Sequence, residues 1–303
     1  MEKNLELQFM IFALVAVGFF VRRLDLVGET GQKSLTRLVT DVVLPCNIFQ
    51  AFQTTGLDAK LSFAVQVILT SLGIQAFCVV LGRLAFRRFP DAKCRSLRYA
   101  TICSNAGFLG NPVAEGMYGP QGLILANLYL IPQRVMMWSS GLAIYTGSHD
   151  RKKTLKAVLT HPCILACVLG LGFLLLGWQL PPLLLSPITA LGRCNTGMSM
   201  LVVGMIVARL DPKALLEPGI LGYTALRLVL IPALVYGACC ALGFSSMVRG
   251  LCVILAAMPA GATTSILADR YDQDPAYASK LVIFSTLVSI PTTALWCWLL
   301  QAA

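Results

Sequence analysis

Charge is scarce in this chain: only 13% of its 303 residues are Asp, Glu, Lys or Arg, too few to clothe a water-facing surface of that size. Acids are the scarcer kind, 14 against 24 bases, and histidine occurs only at His149 and His161. Neither His stands near an acid cluster, so no metal site is expected. HExxH, GxSxG and Gly-x-Gly-Asp motifs are missing, which removes the nucleophile or metal that an intramembrane hydrolase needs. Gly107, Gly110 and Gly116 interrupt an apolar stretch instead of following a strand, so they form no phosphate loop. The 11 Cys lie almost wholly inside apolar stretches without metal-ligand spacing, and read as small, reduced, buried residues.

What is present is hydrophobic: 57% of residues are apolar and the mean hydropathy is +0.75. Crossing a hydrocarbon core takes about 20 apolar residues. Such stretches run at 5–24, 34–53, 61–86, 95–118, 121–146, 161–180, 187–208, 219–243, 248–269 and 276–301, which predicts ten transmembrane helices and an all-α polytopic membrane protein. The first stretch follows two acids and one Lys and lacks a small-residue cleavage site, so it is expected to stay as the first span.

A net charge of +10 could suggest nucleic acid, but the positions of the cations decide otherwise. With ten spans, 18 of them fall on one face, among them Arg22, Lys33, Arg37, Arg87, Arg98, Lys152, Lys213 and Lys280. Only Lys3, Lys60 and Arg249 fall on the other, and Arg134, Arg193 and Arg227 lie within spans. By the positive-inside rule the basic face is cytoplasmic in a cell (inner) membrane and both termini are outside. No nucleic-acid partner is expected.

The fourth and ninth spans are broken. CSNAGFLGNP at 103–112 and AMPAGAT at 257–263 combine Gly, Asn and Pro in mid-span, freeing backbone groups that lipid cannot satisfy. Five spans per half invert the second half relative to the first, and the sequence fits that division: 1–146, a polar linker at 147–160, and 161–303. Both broken spans end in a Tyr-containing turn followed by Pro, MYGP at 117–120 and RYDQDP at 270–275. Six residues separate Pro112 from Tyr118 and twelve separate Pro259 from Tyr271, so the two prolines are not equivalent. The breaks are accordingly expected over Asn105–Pro112 and Met258–Thr264.

Each break leaves a second half-helix with free N–H groups at the positive end of its dipole, and two such ends make a carboxylate cradle. Gly110, Pro112, Pro259, Ala260 and Gly261, with Asn105 and Asn111 as side-chain donors, are the expected binding residues. The plainer reading is a pair of packing kinks. Ionisable groups inside a membrane cost about 2.5–3.5 kcal/mol and default to function. Arg134, near the midplane with Gln133 beside it, suits a substrate carboxylate bidentately, or else forms a structural salt bridge to Asp41 or Glu115. Asp41 and Arg227 lie at similar depth and can pair, or Asp41 can carry a coupling proton or sodium ion.

At these residues the chain resembles the auxin efflux carrier (PIN-like) family, in its short bacterial form. The likeness is carried by Asn105, Gly110, Pro112, Met117, Tyr118 and Gly119 in the fourth span, by Pro259, Gly261, Tyr271 and Pro275 in the ninth, and by VVLPCNIF at 42–49. It departs from plant carriers in its short linker, in Ala260 where they have Gln, and in Asp41 where they are usually apolar. The resemblance implies a five-plus-five inverted repeat in which helices 4 and 9 cross at their breaks. It implies a scaffold of helices 1, 2, 6 and 7 that makes a homodimer, beside a transport bundle of helices 3–5 and 8–10. It also implies elevator-type secondary transport of a small organic anion, auxin-like or malonate/malate-like, without a cofactor. A sodium-coupled symporter of the bile-acid type competes, with Glu115, Thr263, Thr264 and Ser265 as ion ligands; a receptor or membrane enzyme is further off.

Overall fold

The computed structural model describes residues 2–54, 61–146, 159–208 and 217–302. Among them the chain is helical, with no strand beyond one isolated bridge, and the ten apolar stretches are largely helical, those at 95–118 and 248–269 being interrupted at 103–105 and 257–262. Four helices, Ser62–Ala85, Pro182–Val207, Pro218–Ala241 and Pro275–Leu300, are long and apolar enough to cross a membrane. Large apolar side chains such as Leu69, Leu84, Val168, Leu169 and Leu183 point outward, as expected where lipid replaces water. The linker expected at 147–160 lies outside the described residues except for its last two, as do Lys60, Arg209 and Lys213.

Small residues set the closest packing. Helix Glu2–Arg23 lies against Asn195–Val207, with Gly18 on the Leu201 backbone and Gly204 on the backbone of Val15. Helix Leu44–Thr54 packs on Pro162–Leu176, where Gly170 admits the Phe52 ring, and on Pro182–Arg193, where Gly192 approaches Asn47. Helix Leu61–Ala85 packs instead on Asn111–Met136 and Asp91–Ile102, and Ile231–Ala241 on Ser246–Ala256. Gly119, at φ 64°, turns the chain before Pro120 and so separates the fourth apolar stretch from the fifth.

Three of the π-helical turns share a cause. Val39–Val43, Ala106–Gly110 and Leu226–Leu230 each end two residues before a proline, at Pro45, Pro112 and Pro232. Proline removes an N–H and its ring pushes on the carbonyl four residues back, so a wider turn relieves the clash. At the third turn the displaced Leu228 carbonyl accepts a hydrogen bond from Trp296 Nε1 at 2.9 Å. A further turn, Met137–Gly141, follows Arg134.

At one end of the helices, Lys93 Nζ reaches Glu217 Oε2 at 2.7 Å and Lys280 reaches Oε1 at 3.6 Å. The hydrogen bond from Lys93 holds the Glu217 carboxyl below its ordinary value of 4.5, and Lys280 adds to the effect. A lowered folded-state value means that this contact stabilises above the unfolded value and is lost as the pH falls through the folded one. Between about pH 5 and 3, the melting temperature of the native chain should therefore fall more steeply than that of Glu217→Gln. Parallel slopes would show that the contact adds nothing.

Candidate functional site

The two breaks meet. Helix Asp91–Ile102 stops at Cys103, whose φ and ψ of −110° and 90° are extended, and helix Ser246–Ala256 stops at Ala257. Ser104 and Ala260 then form an antiparallel bridge, in which the Asn105 amide donates to the Pro259 carbonyl at 2.8 Å and the Gly261 amide to the Cys103 carbonyl at 3.0 Å. Each break thus satisfies the polar groups that the other exposes. The Ala260 amide donates to Ser285 Oγ at 3.2 Å. Gly261 makes a close approach here, since a Cβ would stand 3.0 Å from the Cys103 carbonyl oxygen and press on it.

This placement corrects the expected extent of the first break. The interruption covers Cys103–Asn105, and the chain is helical again from Ala106, so Pro112 stands in the first turn of helix Asn111–Met136. Proline is accommodated there by the π turn Ala106–Gly110 that precedes it. The second break, between Ala256 and Thr263, matches the expected stretch.

A cavity of about 610 Å³ opens beside the bridge. Its buried end carries Ser104, Asn105, Gln133 and Arg134, each no more than 8% exposed. Gly107 and Phe108 from one half-helix, and Ala262 and Thr263 from the other, also line it, so both second half-helices begin at its wall. The exposed side chains of Lys33 and Arg37 stand at its mouth with Asp41, and Leu44, Leu130, Ile206 and Val282 supply apolar wall.

Of the residues expected to bind, Asn105, Gly261, Gln133 and Arg134 line this cavity together. Gly110, Asn111, Pro112, Pro259 and Ala260 are outside its lining. Pro259 and Ala260 build the bridge, Gly110 packs on Leu255, and Asn111 Nδ2 donates to Asn127 Oδ1 at 3.3 Å in the core. Gln133 spends both amide atoms on Ser104, accepting from its hydroxyl at 3.0 Å and donating to its carbonyl at 2.8 Å, and so fixes the break. The side chain of Asn105 has no hydrogen-bond partner among the described residues, which leaves its donor available to the cavity.

Arg134 donates to Asn127 Oδ1 at 3.3 Å and to Cys167 Sγ at 4.0 Å. Among the described residues it meets no carboxylate, so the expected structural bridge to Asp41 or Glu115 is not formed. Asp41 and Arg227 do not pair either. Asp41 pairs with Arg37 at 3.3 Å, and Arg227 donates to the carbonyls of Met258 and Thr101 at 3.0 and 3.1 Å. Glu115 is off the cavity with Asn47 as its polar neighbour, whereas Thr263 and Ser265 line it, so the ion ligands of the bile-acid alternative are not gathered. Sequence reasoning missed Ser104 and the Asn127 partner of Arg134; Asn127, seven residues before Arg134 and hence on the same helix face, was the legible signal.

A family model described as membrane transport protein matches residues 5–297. An uncharacterized transporter of Methanothermobacter thermautotrophicus is 27% identical over 94% of this chain and 95% of its own length. The uncharacterized transporter YfdV of Escherichia coli is 24% identical, with 95% of each chain covered. Auxin efflux carrier component 3a of Oryza sativa is 26% identical over 65% of this chain and 29% of its own length. These names describe transporters, not enzymes.

Proposed function

Because the chain belongs to the membrane transport protein family, we propose that it is a secondary transporter of a small organic anion, whose carboxylate is held between Arg134 and the two half-helix starts. The observation that carries this reading is Arg134 itself, a nearly buried cation that lines the cavity and is ion-paired to no carboxylate among the described residues, the cavity's own carboxylates being Asp41, which Arg37 holds, and Asp269. A charge in that position is costly unless an anion comes to meet it. The starts of the half-helices at Ala106 and Thr263 add two dipole ends of the same sign. Asn105 gives a neutral donor, and the apolar wall fits a carbon skeleton.

The architecture that goes with this function is ten spans in a five-plus-five inverted repeat, with the broken helices crossing at the bridge. Helices 1, 2, 6 and 7 form the scaffold and the dimer contact, a division supported by the packing of Glu2–Arg23 on Asn195–Val207 and of Leu44–Thr54 on Pro162–Leu176. Helices 3–5 and 8–10 carry the site past it in an elevator-type cycle. With the basic loops cytoplasmic and both termini outside, the cavity mouth at Lys33 and Arg37 makes this conformation inward-open.

Reconstituted liposomes test this. Radiolabelled malonate, malate and indole-acetate are offered with and without a sodium gradient and a pH gradient. At least one should cross at a saturable rate, and a dependence on pH that Asp41→Asn removes would assign coupling to Asp41. A probe that binds without flux under every gradient would make the chain a receptor. Asn105→Ala should raise the KM of the transported probe about tenfold, the worth of one hydrogen bond to a charged group. An unchanged KM would remove Asn105 from the site.

A further inference from the structure

Among the described residues Arg227 is the largest fully buried side chain, 1% exposed, and it too has no carboxylate partner there. Its donors go elsewhere. Nε reaches the Met258 carbonyl at 3.0 Å, and one terminal nitrogen reaches the Thr101 carbonyl at 3.1 Å and Cys78 Sγ at 3.7 Å. Thr101 lies in the last turn of helix Asp91–Ile102, and Met258 follows the last residue of helix Ser246–Ala256 by two. One guanidinium therefore joins the C-terminal ends of both first half-helices, and it is outside the lining of the cavity where the second half-helices begin.

The charges balance. A helix C-terminus carries roughly half a negative charge, so two of them side by side carry roughly one, and a single guanidinium cancels it. Without that cation, two like dipole ends would abut in a medium of low dielectric, directly behind the site for an anion. The fork geometry of Arg allows donation along two directions at once, which the ammonium of Lys cannot match from a single point. The π turn Leu226–Leu230 carries the residue, and its widening is anchored by the bond from Trp296 to the Leu228 carbonyl.

We propose that Arg227 is a positioning residue for the anion site: it clamps the two helix breaks in register and cancels the negative pole behind them, so that the field at the cavity is set by Arg134 and the half-helix starts. The part that concerns substrate rests on the transport reading above; the clamp does not.

The test uses the full chain with Arg227→Met and Arg227→Lys, measured two ways. Amide hydrogen exchange, taken without substrate, should rise at least tenfold in Arg227→Met within both 101–106 and 257–263, with the helices Glu2–Arg23 and Asn195–Val207 unchanged. In liposomes, the KM of malonate or indole-acetate, whichever the native chain carries, should rise about tenfold while the maximal rate changes less than threefold. Arg227→Lys should fall between the native chain and Arg227→Met on both readouts, and it carries the test alone if Arg227→Met does not fold. Exchange that rises in one segment only, rises throughout the protein, or stays flat would overturn the clamp. A localised rise in exchange in a chain that carries neither probe would keep the clamp and count against the transport reading.

Discussion

Arg134→Gln should leave a folded protein that no longer carries its anion at concentrations where the native chain is half-saturated. The side chain faces a cavity of about 610 Å³, and its partners are the neutral Asn127 and Cys167. Removing the guanidinium therefore strands no carboxylate, which is the usual reason that deleting a buried charge unfolds a protein. The substrate loses its charge-assisted hydrogen bonds. At about 1.5–3 kcal/mol for a bond to a charged group, and a factor of ten for each 1.4 kcal/mol, KM should rise roughly 10- to 100-fold. Arg134→Lys keeps the charge without the fork and should lie between. Flux measured against concentration in liposomes reads both variants, and an unchanged KM in Arg134→Gln, with the melting temperature preserved, would dismiss the proposed anion site.

Gly204→Val should abolish the fold itself. A Cβ at position 204 would collide with the Val15 carbonyl oxygen and stand 2.7 Å from the Phe19 amide nitrogen. Both are backbone atoms, so no rotamer change relieves the contact. Gly18 meets the other helix in the same way, its Cβ position falling on the Leu201 carbonyl and 2.8 Å from Leu201 Cα. In a membrane, small residues at such a crossing are what permit close association, because lipid offers no hydrophobic drive to compensate. Forcing the helices apart should cost at least about 3 kcal/mol, the upper end for overpacking. The measurement is the yield and melting temperature of monodisperse protein in detergent. Gly172→Ala, where nothing lies within 4 Å of the added carbon, is the control and should change stability by less than about 0.5 kcal/mol. If Gly204→Val melts with the native chain, the close crossing is not what holds these helices.

The positions of the helices were legible because crossing lipid demands length and continuous apolarity, which any stretch of the chain declares by itself. The breaks at 103–112 and 257–263 were legible because Gly, Asn and Pro are out of place in such a stretch. Where the first break lies was less so. Pro112 drew it too far along the chain, although the helix restarts six residues before that proline and absorbs it with a π turn. Depth could be counted along a helix, which put Arg134 in mid-span, and the structure buries that side chain; azimuth could not be counted. Asp41 and Arg227, expected at similar depth, face different neighbours, and so each found a partner that no spacing announced, Arg37 for one and two helix ends for the other. The prolines at 45, 112 and 232 did hold a readable signal, since each follows a π turn at the same interval. The bond between Gln133 and Ser104 is a matter of tertiary packing and was beyond reach.

The bridge between Ser104 and Ala260 joins residues separated by more than half of the chain. During synthesis the first break therefore enters the membrane with the Asn105 amide and the Cys103 carbonyl unpaired, and both stay so until Pro259 and Gly261 arrive. Loop-closure entropy opposes such a distant pairing until most other contacts are in place. The bridge thus forms late, and a nascent chain arrested before residue 259 holds the Asn105 amide and the Cys103 carbonyl without the partners they have in the finished fold.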